Sequence, residues 1–107
     1  MTTTTNRNRI ALVTGASRGL GRSSALKLAE AGIDLIITYQ RNETEAQDVV
    51  RRIEALGRRA IALQLDVSDS SSFAAFAARV KGALAGHWQR EQFDYLVNNA
   101  GTGLHAS

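Results

Sequence analysis

Four short, almost wholly apolar runs, at residues 9–14, 33–39, 60–65 and 95–98, alternate with three longer amphipathic stretches. Runs of that length with little polar alternation suit strands covered on both faces, and apolar residues recurring every three to four positions suit helices. The order β-α-β-α-β-α-β then leaves little freedom. Strands joined through helices run parallel, their crossovers are right-handed, and the helices must cover the sheet. The second helical stretch is the clearest: Ala46, Val49, Val50, Ile53 and Leu56 share one face, Asn42 can cap the start, and Gly57 sits where a left-handed residue ends a helix. The third carries the stripe Phe73, Phe76, Ala77, Val80 and Leu84, starts near Ser68 or Asp69, and is expected to end before Gly86. The first, over 19–31, is expected to bury Leu20, Leu28 and its small residues.

The expected architecture is an α/β, Rossmann-like parallel sheet of four strands in the order 3-2-1-4, half of a doubly wound fold. In such sheets ligands bind beyond the carboxyl ends of the strands. Four polar or glycine-rich segments fall on that rim: 15–21, 39–42, 66–67 and 98–101. The first is the most telling. Gly15, Gly19 and Gly21 surround Ala16, Ser17, Arg18 and Leu20 directly behind the run Ile10-Ala11-Leu12-Val13. Missing side chains let an anion approach backbone N–H groups, and the start of a helix adds unpaired donors and the positive end of its dipole. The spacing is Gly-x-x-x-Gly-x-Gly, one step more open than the Gly-x-Gly-x-x-Gly of the commonest dinucleotide fingerprint, and its convergence with the three other segments on one rim makes a nucleotide diphosphate the expected occupant. A phosphate-loop nucleotidase is excluded: five residues separate Gly15 from Gly21 where four are needed, and Arg22 stands in place of the lysine.

The end of the second strand sets the cofactor. An acid there would bind both ribose hydroxyls and repel a 2′-phosphate, whereas a guanidinium attracts one. This chain has Tyr39-Gln40-Arg41, with Arg18 inside the glycine turn, which favours NADP(H) over NAD(H). Asp66 can accept from an adenine amino group while Val67 N–H faces the ring, or can cap the helix behind Ser68. Asn98, Asn99, Ala100 and Gly101 combine amides with small residues that let a cofactor pass closely.

Composition closes several alternatives. A chain of 107 residues holds one domain, here residues 9–107 behind a polar tail over 1–8. It has no cysteine, which excludes disulfides and thiolate chemistry. The formal charge of +3 is scattered as single and paired arginines between acids, so no nucleic-acid partner is expected. No run is long enough to span a bilayer and the tail has no apolar signal core, so a soluble cytoplasmic protein with no membrane partner is expected. His87 and His105 lack metal-spaced partners, and Trp88 is expected to pack over the end of the third helix.

On these residues the chain resembles the short-chain dehydrogenase/reductase family. Thr14-Gly15-Ala16-Ser17-Arg18-Gly19-Leu20-Gly21 matches its cofactor motif, Asp66-Val67 its adenine-side pair, and Asp94-Tyr95-Leu96-Val97-Asn98-Asn99-Ala100-Gly101 its fourth-strand signature. The resemblance implies an oxidoreductase that moves hydride between nicotinamide and a carbonyl or alcohol, with Arg18 and Arg41 at 2′-phosphate positions. It also implies that Asn99 ties strands together. The family's catalytic serine and Tyr-x-x-x-Lys pair have no counterpart here: four residues beyond Tyr39 and Tyr95 stand Glu43 and Asn99. We therefore expect a truncated cofactor-binding half without catalytic residues, inactive alone. Its fourth strand and one sheet face would be open to self-association. The alternative is a non-catalytic nucleotide-binding or self-assembling α/β module.

Overall fold

A computed structural model describes residues 9–66 and 68–99. Strands β1 (Ile10–Thr14), β2 (Asp34–Tyr39), β3 (Ala60–Gln64) and β4 (Tyr95–Asn98) form one sheet in the order β3-β2-β1-β4, with every pairing parallel. Helices α1 (Gly19–Glu30), α2 (Glu43–Ala55) and α3 (Phe73–Ala83) connect them. The expected sheet and strand order are therefore the observed ones. The polar tail over 1–8 lies outside the described residues.

Alternation along the strands sorts the core into two layers. Ala11, Val13, Leu35 and Ile37 pack under α1 and α2 with Ala25, Ala29, Ala46, Val49 and Ile53. Ile10, Leu12 and Ile36 point the other way, to Val80 and Leu84 of the α3 segment. Central strands β1 and β2 are buried nearly end to end, as continuous apolar runs require. The edge strands are not: β3 is half-buried and β4 mostly exposed, with Leu96 at 57%. An edge strand has a neighbour on one side only, so the uniform burial expected for all four holds for the inner pair alone.

Several local expectations need correction. Leu20 is 80% exposed, because the buried face of α1 is Gly21, Ala25 and Ala29 at four-residue spacing and Leu20 projects from the first turn at the rim. Leu56 is 46% exposed, since α2 stops at Ala55 and Leu56 turns outward before Gly57 at φ +86°. Phe73 opens α3 after a 3₁₀ turn at Ser70–Ser72 and is 44% exposed, whereas Phe76 packs on the core. The third α-helix ends at Ala83, before Gly86 as expected, but the chain does not leave the helical path there. A π-helical turn, Leu84–Trp88, carries it onward until left-handed Gln89. That turn brings the Trp88 indole N–H to the buried Asp34 carboxylate at 2.7 Å, so Trp88 packs where expected and also ties α3 to β2.

Candidate dinucleotide site

Because all four strands run parallel, their carboxyl ends share one rim. The chain leaves β1 at Thr14, whose hydroxyl donates to Asn98 Oδ1 (2.9 Å) and accepts Asn99 N–H (3.0 Å), holding the ends of β1 and β4 together. Asn98 thus meets strand β1 through its side chain, and Asn99 meets it through its main-chain N–H. Gly15 and Gly19 both adopt φ +65°, the left-handed region that favours glycine. Gly21 serves differently. A Cβ there would stand 2.1 Å from the Gly15 carbonyl oxygen, so α1 approaches the turn only because residue 21 has no side chain.

The start of α1 is open. Arg18 occupies the N-cap position with extended backbone, φ −160° and ψ 171°, yet makes no side-chain cap, and no acid lies in the first turn. Beyond β2, by contrast, Asn42 Oδ1 accepts Glu45 N–H at 3.0 Å and closes the start of α2. Between these two helix starts lies a cavity of about 600 Å³. Five expected site residues line it: Gly15, Ser17, Arg18, Tyr39 and Arg41. Glu45 lines it as well, so two guanidiniums face one carboxylate and the cavity is net positive. Thr38 and Leu65 also contribute. Neither is conspicuous in the sequence, since a lone threonine or leucine inside an apolar strand run carries no functional signal.

Asp66 lies in a neighbouring depression of about 290 Å³, with Gln64, Ser72, Phe76 and Arg79. Its Oδ1 accepts from Ser68 Oγ (2.6 Å), Ser68 N–H (3.0 Å) and Gln40 Nε2 (3.2 Å). These bonds, Ser68 first and Arg41 charge after it, hold its carboxyl below the usual range. Asp66 thus closes a turn onto Ser68 and does not cap the helical turn behind it: the cap of Ser70–Ser72 is Asp69, whose Oδ1 accepts Ser71 N–H at 3.1 Å. Gly19 and Leu20 stand exposed at the α1 start, and Gly21 is buried behind them. Val67, Ala100, Gly101 and His105 lie outside the described residues. Among those that are described, no cluster of metal-ligating side chains occurs, and no helix is long and apolar enough to cross a membrane.

The strand order, two-faced helical cover and cavity at the carboxyl rim define a Rossmann-like α/β protein. A family model for short chain dehydrogenases matches residues 9–107, and the chain belongs to that family, which binds a nicotinamide dinucleotide. It is 43% identical over 98 residues to a 2-dehydro-3-deoxy-D-gluconate 5-dehydrogenase of Pseudoalteromonas atlantica, covering 92% of this chain and 36% of that protein. To an L-rhamnose 1-dehydrogenase (NAD(P)(+)) of a Sphingomonas species it is 41% identical over 90 residues, covering 84% and 33%. The crystal structure of acetoin dehydrogenase from Enterobacter cloacae superposes with a TM-score of 0.73 at 37% identity, covering 86% of this chain and 35% of that one. The chain spans about a third of the length of these relatives.

Proposed function

We propose that residues 9–107 form the NADP(H)-binding portion of a short-chain dehydrogenase/reductase whose whole protein moves hydride between the nicotinamide and a carbonyl or alcohol. The observation that carries the preference is Arg18 and Arg41 lining one cavity with the glycine turn. A 2′-phosphate is dianionic and its oxygens match paired guanidinium donors, whereas NAD(H) offers a neutral hydroxyl there. In this reading the open N–H groups of α1 hold the diphosphate, Tyr39 and Arg41 flank the ribose, and Asp66 with Val67 faces the adenine. Asn98, Ala100 and Gly101 edge the nicotinamide side. The relative acting on L-rhamnose bears a name with both cofactors, which is consistent with choice at this subsite varying among relatives.

The 107 residues contain no Tyr-x-x-x-Lys pair, so cofactor binding without turnover is expected of them, in a cytoplasmic setting. Titration of the chain with NADPH and NADH tests the reading. NADPH should bind at least about tenfold tighter, the worth of one charge-assisted pair, and Arg41→Ala should remove most of that margin. Equal affinity for the two, or binding of neither, would overturn it.

A second reading, self-association, is favoured by one observation. Leu96 stands exposed beside an apolar cavity of about 430 Å³ lined by Leu12, Phe76, Val80, Leu84 and Phe93. Sedimentation of a stable monomer at micromolar concentration would eliminate it.

A further inference from the structure

From the structure we infer that Thr38 is a positioning residue for the diphosphate seat, an inference that rests on the dinucleotide reading above. Thr38 is the fifth residue of β2 and is 1% exposed, so its hydroxyl must find a partner. It finds the glycine turn. Thr38 Oγ1 accepts Gly15 N–H at 3.0 Å, and the Thr38 carbonyl accepts Ala16 N–H at 2.9 Å.

These two bonds begin where the β1–β2 ladder stops, since the last paired residues are Val13 and Ile37. One side chain and its own carbonyl thus prolong the pairing by two donors after β1 has turned away. The effect on the turn is a division of labour. Gly15 and Ala16 spend their N–H groups on β2, so the donors left for an anion are those at the uncapped start of α1. Because Gly15 is pinned, and Gly21 packs directly on the Gly15 carbonyl, the helix start is held at a fixed height above β2. Arg41 leaves the same strand three residues after Thr38. Thr38 therefore sets the spacing between the diphosphate donors and the arginine at the end of β2. The branched Cβ restricts χ1, which keeps the oxygen aimed at Gly15 where serine would be freer.

The test compares the wild-type chain with Thr38→Val, which removes the acceptor, and Thr38→Ser, which keeps it. The probes are NADPH and adenosine 2′-monophosphate, the second bearing the 2′-phosphate without a diphosphate. Thr38→Val should lose about tenfold in NADPH affinity and at most about twofold for the monophosphate, and Thr38→Ser should recover NADPH binding to within about threefold. Equal NADPH binding by Thr38→Val, equal loss on both probes, or no recovery in Thr38→Ser would overturn the inference. Amide exchange in the wild-type chain tests it without any variant. Gly15 and Ala16 should be protected before ligand is added and gain nothing from NADPH, while Gly19, Leu20 and Gly21 gain protection. Unprotected Gly15 in the free chain, or protection of Gly15 acquired only with NADPH, would contradict it. A wild-type chain that binds no dinucleotide overturns the functional reading and this inference together, whereas wild-type binding with an indifferent Thr38→Val overturns this inference alone.

Discussion

The starts of α1 and α2 stand on either side of one cavity and are built in opposite ways. At α2 the chain satisfies its own helix: Asn42 caps Glu45 N–H, and Glu43 and Glu45 place negative charge against the positive end of the dipole. At α1 the N-cap backbone is extended, as a capping serine or aspartate would want, but the residue there is Arg18, with no cap bond and no acid behind it. A cation at that end is unfavourable by itself. Local rules broken in one place and obeyed in the next are what the proposed function expects of a site whose partner is a bound anion. The contrast lies between a helix start that is finished and one that, on the proposed function, is left for an anion.

The strongest way to break this contrast is to fill the space that lets α1 approach its turn. Gly21→Ala sets a Cβ against the Gly15 carbonyl, a backbone group that cannot rotate aside, and should cost about 3 kcal/mol in urea unfolding together with NADPH binding. Giving α1 the chemistry of α2 sharpens the contrast instead. Arg18→Asp should raise stability by about 0.5–1 kcal/mol, because the N-cap becomes an acceptor with favourable charge. The same change should weaken NADPH by about a hundredfold, through one lost cation and one gained anion. Opening α2 is the reciprocal change. Asn42→Ala should cost about 1 kcal/mol in thermal unfolding while NADPH affinity stays within about twofold.

The smallest effect is expected in acid. Asp48 on α2 is held below the usual carboxylate range by its Arg52 hydrogen bond (2.9 Å), then by the charges of Arg51 and, across on α1, Arg22. A carboxyl depressed in the folded chain stabilises it above the unfolded value, near pH 4, and that stabilisation is lost as pH falls through the folded value. Asp94 behaves alike, held down by its bidentate Arg90 pair and by Ile10 N–H. Asp48→Asn should therefore flatten the acid-side decline in thermal stability and leave neutral NADPH binding untouched. An unchanged acid profile would show that the exposed pairs contribute nothing measurable.

Much of this architecture is legible without coordinates, because buried parallel strands and amphipathic helices leave strong periodic signals. The inner strands, the cap at Asn42 and the left-handed Gly57 belong to that class. What periodicity hides is where an element stops. Leu56 and Phe73 sit at helical spacing yet beyond the sheet's cover, and Gly86 lies inside a π-helical turn because Trp88 anchors it to Asp34. In the site, glycines and arginines are conspicuous by type, so Gly15, Ser17, Arg18, Tyr39 and Arg41 can be gathered from the rim segments. Thr38 cannot. Its role depends on which amides of another segment reach its oxygen, and spacing in one strand carries no record of that.

The most direct test is a crystal structure of the chain with NADPH. Diphosphate oxygens are expected within hydrogen-bond reach of the N–H groups at Gly19, Leu20 and Gly21, with the 2′-phosphate between Arg18 and Arg41. A cofactor bound at another surface, or a 2′-phosphate turned to solvent away from both arginines, would contradict this placement.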